Sequence, residues 1–329
     1  MRRAIGLTLA GLGACLIVFA MLLPTYVSRA VVKFPLNEYQ TVTLTGTGGS
    51  YFSPTRLAEV TGVTMEAVYT IKGDAAEGSS STAVWDEFSY TYDLTSKTPF
   101  QYMARTLAFD RRTAQLVDCC GASVNGNTAI SQDGVAGIVF PIGTRKQTYE
   151  VFDSTLLRPE PFTYSGSTTI GGIGAYVFTE NVPSTRFTTQ TLPGSLAGMS
   201  QPSVTLPEYD RSRLVYDVDP ETGALLDVRA DQQLTLVNPA TGAPALVLYD
   251  GDLTTTPASV TAAVQLDRSM RGTLTLIGTI LPLATGMAGA VVLAAGVLLW
   301  RKPREDAVAG PAIRADAVQA TAGPPGDPA

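Results

Sequence analysis

The stretch LTLIGTILPLATGMAGAVVLAAGVLLW, residues 274–300, contains no charged side chain, and Arg301, Lys302 and Arg304 follow it. A helix needs about 20 apolar residues to cross a hydrocarbon core. Inside that core only a helix or a closed barrel satisfies its own backbone groups. Residues 274–300 therefore read as a membrane-spanning helix, a little longer than the core is thick and so tilted or protruding. Pro282 within it predicts a kink.

A second apolar run, residues 4–23, follows Arg2 and Arg3 at the other end of the chain. Three readings compete for it. It is longer than the apolar core of a signal peptide, about 7–15 residues, which favours an uncleaved span; Ser28-Arg29-Ala30 offers a cleavage site for the alternative. Leu12-Gly13-Ala14-Cys15 resembles a lipid-attachment box, but apolar residues rather than a polar tether follow Cys15. Basic flanks mark the cytoplasmic side of a span, so both termini are expected in the cytoplasm and the long central segment outside it. Arg268 and Arg271, on the opposite flank of the second span, weaken that bias.

The expected organisation is an N-terminal transmembrane helix over 1–27, a β-rich extracytoplasmic domain over 28–255, a juxtamembrane helix over 256–272, a second transmembrane helix over 273–300 and a disordered cytoplasmic tail over 301–329. Thr256-Pro257 carries the start of the juxtamembrane helix, a capping hydroxyl followed by proline at the first helical position. The central segment is rich in Thr, Val, Tyr and Phe, broken by Gly and Pro. Alternating runs at 40–45, 67–72, 83–94, 103–109, 114–118, 148–152, 175–180, 214–219, 224–230, 233–237 and 245–250 read as strands. About a dozen short strands predict a closed sheet or a sandwich.

Composition narrows function. The chain has 29 acidic and 23 basic residues, a net charge of −6, and no histidine. Nucleic acid is an unsuitable partner for such a surface. The absence of histidine removes Ser-His-Asp and Cys-His catalysis and most catalytic zinc sites. No catalytic, cofactor or metal residues are assigned, and a non-enzymatic role is expected. The Gly-rich stretches 45–50 and 171–174 lack what a nucleotide loop needs after it, and read as turns. Carboxylate pairs at Asp86 and Glu87 or Asp217 and Asp219 keep a histidine-free hydrolase as the least favoured reading; of these only Asp217 and Asp219 share a strand face.

Cys119-Cys120 is the only pair of thiols available outside the membrane. A vicinal disulfide stiffening a turn, free or intermolecular thiols, and a redox pair all fit; the CxxC spacing of thiol oxidoreductases is absent. Asp110-Arg-Arg-Thr113-Ala-Gln-Leu116-Val-Asp118 repeats the spacing of Asp219-Pro-Glu-Thr222-Gly-Ala-Leu225-Leu-Asp227. Two hairpins with aspartate-capped turns explain the match; carboxylates gathered on a Ca²⁺ ion, or an old duplication, are the alternatives. Trp85-Asp-Glu-Phe-Ser-Tyr-Thr-Tyr-Asp93 alternates as one wet and one buried strand face, with a carbohydrate site as the competing reading. Gly6, Ala10 and Ala14 on the first span, and Gly286, Ala290 and Ala294 on the second, recur every fourth residue and predict close antiparallel helix packing.

Phe140-Pro141-Ile142-Gly143, Tyr149, Asp153 and residues 172–178, GIGAYVF, together with the Cys-Cys pair and the Asp219-Pro-Glu-Thr-Gly turn, resemble the actinobacterial PorA-like family of cell-envelope proteins. The resemblance covers most of the chain and implies a channel or porin-like role; it brings no catalytic or binding residues. Porins of outer membranes cross with strands, whereas this chain has apolar helices. Its architecture also resembles that of CD36-type receptors, two terminal spans enclosing one β-rich domain, which suggests a lipid conduit by shape alone. The expected partners are the membrane, envelope lipids or small solutes, and a second copy or another envelope protein. The alternative function is a structural or partner-binding subunit. An interior cavity in the β domain separates the two.

Overall fold

The computed structural model describes residues 2–301, so all of the expected tail beyond Arg301 lies outside the described residues. The described residues form two compact units, residues 2–21 with 283–301, and residues 22–282.

The first unit pairs α1, Arg2–Leu22, with α4, Leu281–Arg301. They run antiparallel: Gly6 lies against Gly296 and Trp300, Gly13 against Gly289 and Leu293, and Ala20 against Gly286. The small residues in this seam differ from the four-residue repeat expected. Gly6, Gly13 and Ala20 are buried on α1, and Gly289 and Gly296 on α4, all spaced by seven. Ala10 touches Gly296 from the edge, while Ala14, Ala290 and Ala294 are exposed. Each step of four overshoots a helical turn, so a four-residue stripe drifts off the seam. A step of seven returns nearly to it.

In the second unit a π-helical turn, Leu23–Val27, and a one-turn helix α2, Ser28–Val31, lead into strands β1 Tyr39–Ser53, β2 Ala58–Gly73, β3 Thr82–Asp93, β4 Thr98–Asp110, β5 Ser123–Val124, β6 Tyr149–Asp153, β7 Arg158–Ile170, β8 Ile173–Leu192, β9 Val204–Val218, β10 Leu225–Val237 and β11 Pro244–Thr255. Helix α3, Pro257–Thr275, follows. A π-helical turn, Leu276–Ile280, then lies just before Pro282. Proline clashes with the carbonyl four residues back, and a π turn absorbs that clash without breaking the helix.

All eleven strands belong to one antiparallel sheet, ordered β5-β4-β3-β2-β1-β11-β10-β9-β8-β7-β6. The fold is thus neither a sandwich nor a closed sheet but a single curled sheet, a half-barrel with β5 and β6 as its edges. The two edges are consecutive in the chain. The segment between them, interrupted by Gly126, Gly134, Gly137, Pro141 and Gly143, does not sustain a ladder and crosses the gap by isolated bridges, Val135 pairing with Gln115 on one side and Val151 on the other. Residues 114–118, expected as a strand, lie between β4 and β5 and pair only through isolated bridges, Leu116 with Phe109 and Gln115 with Val135. The strands are also longer than the sequence suggests: residues 224–230 and 233–237 join as β10, and β8 runs on to Leu192.

The turns repeat one device. Asp93, Asp110, Asp153, Asp219 and Asn238 each accept a backbone N–H two residues ahead, and Ser53 one three ahead. Four residues after each stands a left-handed residue: Lys97, Ala114, Leu157, Gly223, Gly242 and Leu57. The Asp110 and Asp219 repeats are two of these six turns, and their carboxylates are engaged by their own backbone. Gly223 has a second reason to lack a side chain, since a Cβ there would meet the Phe140 carbonyl oxygen at 2.0 Å.

Aromatic side chains fill part of the concave face. Trp85 meets Phe34 and Phe109 edge-on, and its Nε1 donates to the Pro35 carbonyl at 3.1 Å. Phe140 stacks on Phe178 with centroids 5.1 Å apart, and Tyr149 meets both rings edge-on.

Candidate functional site: the interior of the curled sheet

The aromatic core does not fill the half-barrel. A cavity of about 900 Å³ remains, lined from β1 through β11, by the crossing segment and by α3. Strand alternation chooses its lining. On β3, Trp85, Glu87, Ser89 and Thr91 point inward, whereas Phe88, Tyr90 and Tyr92 form an outer row with rings 6.0 and 5.8 Å apart. Apolar lining comes from Val42, Leu44, Leu214, Val228, Leu234 and Leu253 among others. The volume is at the upper end of ligand pockets, roughly 300–1,000 Å³.

Helix α3 closes one side with Ser259, Ala263, Leu266, Asp267 and Met270. Its attachment is specific. The Thr256 hydroxyl caps it by accepting from Ser259 N at 3.3 Å, and Ser259 Oγ accepts from Thr43 N at 2.9 Å. Val264 packs with Ile173, Ala175 and Leu226. Fully buried Asp267 accepts from the Thr222 hydroxyl; its carboxyl is held well above the ordinary range by burial and then by the adjoining Asp219. Arg271 completes the cluster, bonding Glu221 and lying 3.6 Å from Asp219, while Arg268 donates to the Gly171 carbonyl at 2.6 Å. Both arginines read from sequence as flanking charges are thus fastened to the sheet's turns.

The lining carries one buried ion pair. Arg105, 4% exposed, lies 3.6 Å from Glu87, donates through Nε to Gln132 at 2.7 Å and through Nη1 to the Ala136 carbonyl at 3.1 Å, and stacks on Phe152. Its Nη2 is buried and meets no acceptor among the described residues. Sequence reasoning did not single out Arg105, because its partner Glu87 lies across a strand pair and Gln132 in the crossing segment.

Farther along the concave face, burial and the neighbouring Asp153, Glu160 and Asp210 push the Glu180 carboxyl up to about 8, and burial pushes Asp210 up to about 6. Glu180 Oε1 and Asp210 Oδ2 have no partner among the described residues. Both acids hold protons in the folded state that the unfolded chain releases near pH 4, so their stabilising contribution is complete below that range and is lost as pH rises through about 6 and about 8. Glu180→Gln should therefore flatten the decline in thermal stability between pH 5 and 8.5 and stabilise the full-length protein at the alkaline end by roughly 1–3 kcal/mol. An unchanged pH profile in a detergent-solubilised melting series would show that Glu180 ionises freely.

The other residues singled out from sequence lie elsewhere. Asp86 faces outward and accepts from Thr106, opposite in direction to Glu87. Asp217 is taken up by Arg229 at 3.1 Å and Asp219 by the Asp267 cluster, which leaves neither poised on a substrate. Cys119 and Cys120 are joined as a disulfide, exposed in a turn where Cys120 and Gly121 both adopt positive φ. Among the described residues no group of three or more His, Cys, Asp or Glu side chains could hold a metal ion.

The profile of the family described as Porin PorA matches residues 5–298, nearly the whole chain. The chain belongs to the porin PorA family. No curated protein matches it. Family membership and the two long apolar helices, Arg2–Val27 and Pro257–Arg301, point together to a membrane. In this PorA family member the outward face of the sheet carries Arg211, Arg213 and Asp231 on neighbouring strands, with Arg211 and Asp231 paired at 3.6 Å. Charges at such positions are costly on the lipid-facing wall of a barrel. The arrangement suits a water-exposed sheet around a chamber.

Proposed function

We propose that this porin-family protein is a two-span, non-enzymatic cell-envelope protein whose β domain lies outside the cytoplasm, with both termini inside, and which binds and conveys a lipid or small hydrophobic solute through the interior of its curled sheet. The observation that carries this reading is the cavity of about 900 Å³ lined by apolar side chains from both halves of the sheet. A partner-binding subunit has no need of such a void, because unfilled apolar space forfeits packing energy. The basic residues at Arg2, Arg3 and Arg301 support the orientation.

Native mass spectrometry of the full-length protein, extracted from its own envelope in mild detergent, tests it. A bound species of lipid or solute mass is expected. Ala230→Trp, which introduces a large ring into the lining, should displace it while leaving the melting temperature near that of the parent. Ligand-free protein from every preparation, with Ala230→Trp tolerated and without effect, would assign the protein to the partner-binding class.

A further inference from the structure

The charges around the cavity restrict what it can hold. Among the described residues six carboxylates line it, Glu38, Glu87, Asp153, Glu208, Asp227 and Asp267, against one cation, Arg105. Each acid already has a partner inside the protein. Glu87 has Arg105; Glu208 accepts from Gln190 at 2.9 Å; Asp153 accepts from Thr155 N and Leu156 N; Asp227 accepts from Val228 N; Asp267 has Thr222 and Asp219; Glu38 accepts from Tyr39 N. Arg105 is neutralised by Glu87, yet its Nη2 stands buried without an acceptor among the described residues.

We propose, building on the chamber reading above, that the cavity selects an uncharged amphiphile whose ester or hydroxyl oxygen accepts from Arg105 Nη2, and that it rejects lipids with anionic headgroups. A neutral oxygen satisfies the orphaned N–H, whose burial without an acceptor is unfavourable, and adds no charge. A carboxylate or phosphate would have to be desolvated among six acids, with the one lining cation among the described residues already paired. A cationic headgroup gains little in exchange, since each carboxyl facing it is already engaged by a donor of the protein.

The test uses full-length protein in detergent micelles and three fluorescent probes sharing one acyl chain: a monoacylglycerol, the free fatty acid and an alkyl trimethylammonium. At pH 7.5 the monoacylglycerol should bind roughly tenfold or more tightly than the fatty acid. Arg105→Lys, which keeps a charge beside Glu87, should weaken the monoacylglycerol selectively. Glu38→Gln/Glu208→Gln/Asp227→Asn should raise fatty-acid affinity and leave the monoacylglycerol unchanged. Fatty acid binding equal to or tighter than the monoacylglycerol, or the ammonium probe binding tightest, overturns the selection. Absence of binding by all three, with Ala230→Trp also silent, removes the chamber itself and the selection with it.

Discussion

Replacing Glu87 by alanine should destabilise the β domain by about 3–5 kcal/mol, the cost of leaving a buried charge without its partner. Arg105 cannot reach water to recover the loss. It is 4% exposed, its Nε and Nη1 are tied to Gln132 and Ala136, and its plane rests on Phe152. The penalty belongs to the unpaired charge rather than to the pair as such, so Glu87→Leu/Arg105→Met should recover most of the lost stability, as apolar pairs of similar volume commonly do. Urea unfolding of the detergent-solubilised protein, followed through buried Trp85, provides the measurement. If Glu87→Ala unfolds at the wild-type midpoint, Arg105 is solvated and the interior is wetter than the structure shows. The double variant separates stability from ligand contact: it should fold yet bind the neutral probe weakly, because the guanidinium is gone.

The helical unit offers the second large effect. Gly13→Leu should part the two apolar helices. Even a Cβ at position 13 would lie 2.4 Å from Leu293 N and 2.7 Å from Gly289 O, backbone atoms that cannot rotate aside. Helices in lipid associate through close backbone packing and have no hydrophobic effect to fall back on. Gly11 supplies the control, since a side chain there meets nothing within 4 Å. The readout is an engineered disulfide, Ala20→Cys with Gly286→Cys, in a Cys15→Ser background. A Cβ at 286 falls 3.6 Å from that of Ala20, within the usual Cβ separation of about 3.5–4.5 Å. Oxidation should crosslink the parent and Gly11→Leu in membranes and fail in Gly13→Leu. Equal crosslinking in all three would mean that the helices do not meet at Gly13.

Much of the architecture follows from short-range pattern. Hydropathy alone marks α1 and α4, because an uncharged apolar run has few other stable environments. The alternation of residues 85–93 assigns Trp85 and Glu87 to one face and Phe88 and Tyr90 to the other without knowledge of any neighbour. The aspartates at 110 and 219 announce their turns because an Asx side chain bonds the backbone next to it, and Thr256-Pro257 announces α3 for a similar local reason. The absence of histidine and the acidic balance narrow the chemistry before any fold is known.

What only the tertiary structure decided is non-local. That β1 pairs with β11, so that the chain runs out to one edge and returns from the other, depends on which strands meet across some two hundred residues. Strand propensity is blind to this. The same holds for the opening between β5 and β6, where the glycines at 126, 134, 137 and 143 and Pro141 weaken any ladder that could have closed it. The seven-residue seam of Gly6, Gly13 and Ala20 is chosen over the four-residue stripe by the partner helix, since one helix alone does not define the side it will be packed on. Arg105 acquires meaning through Glu87 on the adjacent strand and Gln132 far along the chain. The cavity likewise belongs to no segment: it is the volume left when eleven strands of given register curl around side chains too few to fill it.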